Sequence, residues 1–167
     1  LKTIEYPREF DNLKMKVSFG MGMAARVPWI SFTAPGISAS NGYFPVYLYY
    51  KEQNVLILSF GISETSQFPL NWSREIQDGH KLISEVVPGA ARYGDSFVFK
   101  KYIPEISGSK VIFKDDNGDD VNASIAEDLS EILNLYRNTL DLEVKDESSV
   151  VSSGLFYMEK QLEDFII

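Results

Sequence analysis

The 167-residue sequence contains no cysteine, which excludes a disulfide framework and a thiolate metal site. Histidine occurs once, at His80. A zinc site would need carboxylates around that one imidazole, so His80 reads as a surface or helix-face residue. No G-x-x-x-x-G-K-[ST] sequence is present, which excludes nucleotide binding by that route. G-x-S-x-G is missing, and so is a Ser/His/Asp pattern with workable spacing. No apolar run approaches the length of a membrane span, and no signal peptide is visible. The expectation is a cytoplasmic protein with no metal, no cofactor and no membrane partner. The chain begins at Leu1 rather than Met, so it is expected to be an excised piece of a longer protein.

What is present is an ordinary globular composition, 44% apolar and 24% charged, in a chain long enough for a substantial core. The net charge of −8 argues at first against nucleic acid. Its distribution removes that objection. Residues 1–114 hold 13 Lys and Arg against 10 Asp and Glu, net +3, whereas residues 115–167 hold 3 against 14, net −11. The acidity is concentrated in the last third, and the first part is free to bind an anion.

The strand signal is concentrated between Val17 and Ile62, a stretch with four of the nine tyrosines and one of the two tryptophans. Residues 13–19 alternate apolar and polar without a fault, as a half-buried strand does. Gly20 and Gly22 then open a loop. Residues 29–32 form a second strand, preceded by Pro28 where a missing N–H is tolerated. Pro35-Gly36 and Asn41-Gly42 mark turns. Residues 44–51 and 55–62 read as a hairpin, and their near-continuous apolar character predicts strands covered on both faces. A helix is expected over 73–87 with Ser73 as N-cap, then strands over 97–102 and 110–113. Ser124 and Glu127 fit a capping box ahead of a stripe of Ile125, Leu129, Ile132, Leu133, Tyr136 and Leu140. The expected fold is α+β, a twisted, mainly antiparallel sheet with flanking helices. Residues 1–142 make one domain. Residues 143–167 make an acidic linker and a short amphipathic segment with Leu155, Met158, Leu162, Phe165 and Ile166.

Motifs for bond-making chemistry are weak. Asp115, Asn117 and Asp119 begin like a calcium loop. However, Asp120 stands where glycine is needed and Ala126 where the bidentate glutamate is needed, so a solvated acidic turn is expected. Asp95 ahead of Lys100 and Lys101 is the nearest approach to a nuclease site, and no second acidic residue stands near the lysines. The concentration of aromatics is the stronger signal. Trp29, Tyr43, Phe44, Tyr47, Tyr49, Tyr50 and Tyr93 are many aromatics for a short region; most are expected to pack in the core, and some could line a pocket. Alternation sends Phe44, Val46, Leu48 and Tyr50 to one face and Pro45, Tyr47 and Tyr49 to the other. Periodicity does not say which of them line a pocket.

The ordered series Tyr6-Pro7, Asn12-Leu13, VSFG ending at Gly20, Gly22, Pro28-Trp29 and Ala39-Ser40-Asn41-Gly42 opens a longer pattern. It continues with Pro45-Val46, Leu48-Tyr49-Tyr50-Lys51, Gly61-Ile62-Ser63, Trp72, and Tyr93-Gly94 with Ser96. In this pattern the chain resembles the N-terminal DNA-recognition domains of the McrB family, the specificity subunits of McrBC modification-dependent restriction systems. The match is dense from about Tyr6 to Trp72 and thins toward Tyr102.

The resemblance implies binding of double-stranded DNA that carries a modified cytosine, 5-methylcytosine or a relative, and flipping of that base into an aromatic and apolar pocket. It implies a domain that does no chemistry. In the family a GTP-driven motor ring follows the domain, and a separate nuclease subunit cuts the DNA. Position by position, Trp29 matches the pocket tryptophan and Tyr93 the tyrosine that helps enclose the base. Phe44 and Leu48 match an aromatic and a leucine near the space the base vacates. Met21 falls where the family has a tyrosine, so it is expected in the pocket and bears on which modified base is read. Gly20, Gly22, Ser40, Asn41 and Gly42 belong to loops expected at the DNA. Lys14, Lys16, Arg26, Lys51 and Arg92 are the basic residues nearest these motifs, candidates for phosphate contacts and equally readable as solvated surface charges. The alternative is a protein-interaction module that docks through its acidic C-terminal helix.

Overall fold

A computed structural model describes residues 8–10, 12–19, 27–35, 42–64, 71–90, 92–140 and 161–166. Among the described residues seven strands form one antiparallel sheet: β1 (Glu9–Phe10), β2 (Leu13–Ser18), β3 (Trp29–Thr33), β4 (Tyr43–Tyr50), β5 (Val55–Ile62), β6 (Phe97–Ser107) and β7 (Lys110–Lys114). Their spatial order is their chain order, so every ladder joins sequence neighbours. The sheet curls into a half-barrel, and with its helices it is the expected α+β fold. The β3–β4 ladder runs from Trp29↔Leu48 to Ser31↔Val46 and stops beside Pro45, which has no N–H to extend it. β6 runs to Ser107, past its expected end at Tyr102, and carries Pro104. Beyond Tyr102 it pairs with β7 alone, so the proline costs no bond to β5.

Directly paired residues share a face, and the ladders therefore sort the sheet into two. One face holds Met15, Phe32, Ile30, Tyr47 and Leu58. Helix α3 (Asn122–Thr139) covers it with the buried stripe Ile125, Leu129, Ile132, Leu133 and Tyr136. The Tyr136 hydroxyl accepts a bond from Ala34 N at 3.2 Å, and the Tyr102 hydroxyl donates to Asp128 at 2.6 Å. Trp72 packs edge-on against Tyr43 and Phe60 and donates to the Gly61 carbonyl at 2.9 Å. The other face holds Lys14, Lys16 and Ser18 on β2, Trp29 and Ser31 on β3, and Val46 and Leu48 on β4. Every residue of β4 is buried, so this strand is covered on both faces as its composition predicts.

Two helix expectations are corrected. The helix expected over 73–87 is two pieces, α1 (Arg74–Gly79) and α2 (Ile83–Val86). Ser73 caps the first as expected, accepting from Ile76 N at 3.4 Å. The break follows Gly79, a poor helix former. The backbone of residues 81–83 is instead bonded to β6: Val98 N donates to Lys81 O, Ile83 N donates to Ser96 O, and Leu82 bridges Phe97. The second correction concerns α3, which begins at Asn122 and has Val121 rather than Ser124 at its N-cap position. The Asn122 side chain is committed to β7: its Oδ1 accepts from Phe113 N at 2.7 Å and its Nδ2 donates to Val111 O at 3.3 Å. That tie sets the helix start three residues early, nearly a full turn, and leaves Ser124 and Glu127 inside the helix.

The segment with calcium-loop spacing is the acidic turn expected of it, with Asp115 Oδ1 accepting from Asn117 N and Asp119 N. Residues 161–166 are helical, and Leu162, Phe165 and Ile166 join the core, with the Phe165 ring 5.4 Å from Phe19. Leu155 and Met158 lie outside the described residues. Among the described residues no helix is long and apolar enough to cross a membrane.

Candidate nucleic-acid interface

Trp29 opens β3 and pairs with Ser18 on one side and Leu48 on the other. Leu48 is fully buried while Trp29 is half-buried, so the indole stands partly free above a packed floor. The Lys16 ammonium lies 6.0 Å from its ring centroid, within reach of a cation–π attraction. Lys14 and Lys16 are exposed and share this face. A flat ring backed by leucine, with one cation beside it and a second further along the face, is suited to stacking on a base of an anionic polymer.

Tyr93 reaches the same face by a different route. Tyr50 alternates with Leu48 and points with it, and its hydroxyl donates to the Arg92 carbonyl at 2.8 Å. Gln53, in the turn after β4, donates to Pro88 O at 3.2 Å, and Ile62 N at the far end of β5 donates to Ser96 Oγ at 3.0 Å. Residues 88–90 and 92–96 are thus pinned at both ends of the β4–β5 hairpin and lie across it as an arm. Within the arm Tyr93 is left-handed, with φ of 62°. This is an uncommon state for a bulky non-glycine residue. Glu64 supports it, accepting from Tyr93 N at 2.7 Å on one oxygen and from Arg92 Nε at 3.1 Å on the other. The Arg92 guanidinium lies 4.8 Å from the Tyr93 ring centroid. Burial raises the Tyr93 phenol above its ordinary value, with Arg92 opposing and Glu64 adding to the shift. Burial likewise raises Tyr50.

A cavity of about 390 Å³ opens beside the arm, lined by Ile62, Glu64, Asn71, Tyr93, Asp95 and Phe97 among others. It lies in the size range of small-ligand pockets. Asp95 faces this cavity, whereas Lys101 pairs with Asp116 at 2.8 Å and Lys100 lies over Phe99. The Asp95–Lys100–Lys101 grouping is therefore divided among different partners. Among the described residues no group of three or more metal-ligating side chains lies together. His80 is half-buried against Phe60 at 4.6 Å, with its Nδ1 at 2.7 Å from Ile76 O.

Of the remaining site residues, Phe44 is buried opposite Gly61 at the start of β4. A Cβ at Gly61 would stand 2.7 Å from Val46 Cγ1 and 2.8 Å from Phe44 O, so only glycine permits this approach. Gly42 is buried and accepts from Ser63 N. Lys51 is exposed in the β4–β5 turn. Arg92 is exposed but engaged by Glu64. Gly20, Met21, Gly22, Arg26, Ser40 and Asn41 lie outside the described residues. The segments that hold them leave opposite ends of β3, which at five residues is only about 16 Å long. Sequence reasoning missed Glu64. It directly follows the Gly61-Ile62-Ser63 motif, but its partners are 28 and 29 residues on, and no periodicity links them.

A family model for the MrcB-like N-terminal domain matches residues 2–141. The chain belongs to this family. The MrcB-like domain is also 38% identical over 101 residues to the type IV methyl-directed restriction enzyme EcoKMcrB subunit of Escherichia coli strain K12. That alignment covers 57% of the present chain and 22% of the longer protein, so the chain spans about a fifth of that relative. Family membership agrees with the resemblance read from Pro28-Trp29, Gly61-Ile62-Ser63 and Tyr93-Gly94. In this MrcB-like domain α3 packs its apolar stripe on the sheet and leaves Glu127 and Glu131 exposed.

Proposed function

We propose that this MrcB-like domain is the DNA-binding specificity module of a modification-dependent restriction system, and that it reads a modified cytosine by drawing it out of the duplex. The observation that carries the reading is membership in the family, together with the similarity to a subunit named methyl-directed. The geometry supports it. Trp29 and the Tyr93 arm share one face, Lys16 lies beside the tryptophan with Lys14 further along the same face, and a cavity of about 390 Å³ lies beside Tyr93. Trp29, Tyr93 and Met21 form the walls around the base. Phe44 and Leu48, matched to positions near the space the base vacates, are buried in β4 and support that region from beneath. Gly20, Gly22, Ser40, Asn41 and Gly42 let their loops approach the DNA, while Lys14, Lys16, Arg26, Lys51 and Arg92 supply cations for phosphates.

Extruding a base costs a few kcal/mol, and stacking on an aromatic returns roughly 1–3 kcal/mol. A buried methyl adds about 0.8 kcal/mol. Size alone then separates modified from unmodified cytosine by roughly 10-fold to 200-fold at best, the ~0.8 kcal/mol of one methyl by itself being about fourfold. The recognition module itself makes and breaks no bonds. Residues 1–142 form it, with Leu162, Phe165 and Ile166 packed into its core, and residues 143–167 lead toward a GTP-driven motor ring that acts with a separate nuclease subunit. Repetition around a ring raises a modest affinity through linked sites.

The test is a titration of duplexes that differ in one base: cytosine, 5-methylcytosine, 5-hydroxymethylcytosine, N4-methylcytosine and N6-methyladenine. A modified cytosine should bind at least tenfold tighter than cytosine, with fluorescence of a 2-aminopurine beside the site rising on binding. Equal affinity across the series, or DNA cleavage that Asp95→Asn abolishes, overturns the reading.

A further inference from the structure

Glu64 touches both residues at the crown of the arm. One oxygen accepts from the Tyr93 backbone at 2.7 Å, and the other holds Arg92 at 3.1 Å. Several contacts converge on this point. The Arg92 carbonyl is fixed by Tyr50, Tyr93 O accepts from Ser96 N at 3.1 Å, and Ser96 Oγ is tied to Ile62. Tyr93 is held left-handed at φ 62° in the middle of these ties. A strained non-glycine backbone persists only where its surroundings over-determine it, and such residues gather at ligand clamps. The Glu64 and Arg92 side chains are 35% and 50% exposed. An ion pair that open is weakly held in water, so a phosphate can compete for the arginine.

We propose that Glu64 is a positioning residue for base recognition and a mask on Arg92. It holds the Tyr93 ring in its recognition geometry, and it withholds the Arg92 charge from DNA that offers no base to bind. This rests on the modified-DNA reading. Two properties of one carboxylate are involved, its reach and its charge, and they separate by substitution. Glu64→Gln keeps the length and one acceptor oxygen but loses the charge. Glu64→Asp keeps the charge but is one methylene too short to meet both partners at once.

The experiment measures affinity for modified and unmodified duplexes at several salt concentrations, for wild type, Glu64→Gln, Glu64→Asp and the double variant Glu64→Gln/Arg92→Ala. Thermal melting of each variant serves as a folding control. Glu64→Gln should bind unmodified DNA several-fold tighter, with a salt slope steeper by about 0.9, the value of one added phosphate contact. Removing Arg92 in the double variant should cancel that gain. Glu64→Asp should keep the weak background and the wild-type slope while losing at least fivefold in the ratio of modified to unmodified affinity. A merely structural role would lower the melting temperature and both affinities together, with the slope unchanged, and that result overturns the proposal. So do wild-type ratios and slopes in both single variants. A wild type that does not discriminate defeats the modified-DNA reading itself, whereas a discriminating wild type matched by both variants defeats only the role of Glu64.

Discussion

Replacing each of the two tryptophans by alanine separates recognition from stability. Trp72 is 2% exposed, packs edge-on against Tyr43 and Phe60, and donates its indole N–H to Gly61 O. Truncating such a residue costs about 4 kcal/mol. At about 2–4 °C per kcal/mol for chains of this size, the melting temperature should fall by about 8–16 °C. Trp29 is half-buried on the opposite face, so roughly half of that cost, about 2 kcal/mol and 4–8 °C, is expected. Binding should show the reverse order. Trp29→Ala removes a stacking surface worth roughly 1–3 kcal/mol per base, a loss of about 5-fold to 150-fold in preference for the modified duplex. Background binding, carried by phosphate contacts, should survive with its salt slope intact. Trp72→Ala, assayed below its melting transition, should discriminate as wild type does. The assays are differential scanning calorimetry and fluorescence anisotropy on matched duplexes. A Trp29→Ala protein that melts as low as Trp72→Ala while keeping its discrimination refutes the placement of Trp29 in the base pocket.

Other outcomes follow from single contacts. Gly61→Ala should destabilise the domain by about 1–3 kcal/mol in denaturant titrations, because its Cβ would meet the Phe44 carbonyl, which cannot rotate away. Tyr47→Phe should leave stability unchanged or raise it by about 1 kcal/mol, since the buried Tyr47 hydroxyl has no hydrogen-bond partner among the described residues; a clear loss of melting temperature counts against that. Burial, opposed by the bond from Ala34 N, pushes the Tyr136 phenol up to about 12, and burial raises Tyr47 and Tyr102 further. Their folded values lie above the unfolded value of about 10, so this stability is complete below pH 10 and is lost as pH rises toward 12 and beyond. Tyrosinate absorbance from these residues should therefore appear together with alkaline unfolding, and its appearance in the folded state refutes the assignment. Met21→Tyr should sharpen the preference between 5-methylcytosine and 5-hydroxymethylcytosine, which wild type separates by less than tenfold, without altering the salt slope. An unchanged ranking removes Met21 from the pocket.

The strands were legible because their signal is local. Alternation over 13–19 and the apolar hairpin around Glu52-Gln53-Asn54 placed β2, β4 and β5 to within a residue or so. The helix ends were not, because distant partners decide them: β6 captures the backbone at Lys81 and Ile83, and β7 captures the Asn122 side chain. The same division holds at the site. Trp29 and Tyr93 were found through motifs, but that they share a face follows only from the Trp29↔Leu48 register and the Tyr50–Arg92 bond. Glu64 carried no legible signal, since a carboxylate bonded to a backbone N–H 29 residues away leaves no pattern in composition or periodicity.

The sheet's strict chain order has an evolutionary consequence. Each ladder joins strands that are neighbours in the chain. A loop at either end of β3 can therefore lengthen, shorten or change its side chains without shifting the register of any other pair. Reading heads can be exchanged on a constant frame, one connection at a time, and intermediates along the way still fold. If the domain reads modified DNA as proposed, a lineage facing changing marks gains a short mutational path to each new one. Transplanting residues 20–26 from a relative with a different preference should carry that preference with it and leave the melting temperature nearly where it was.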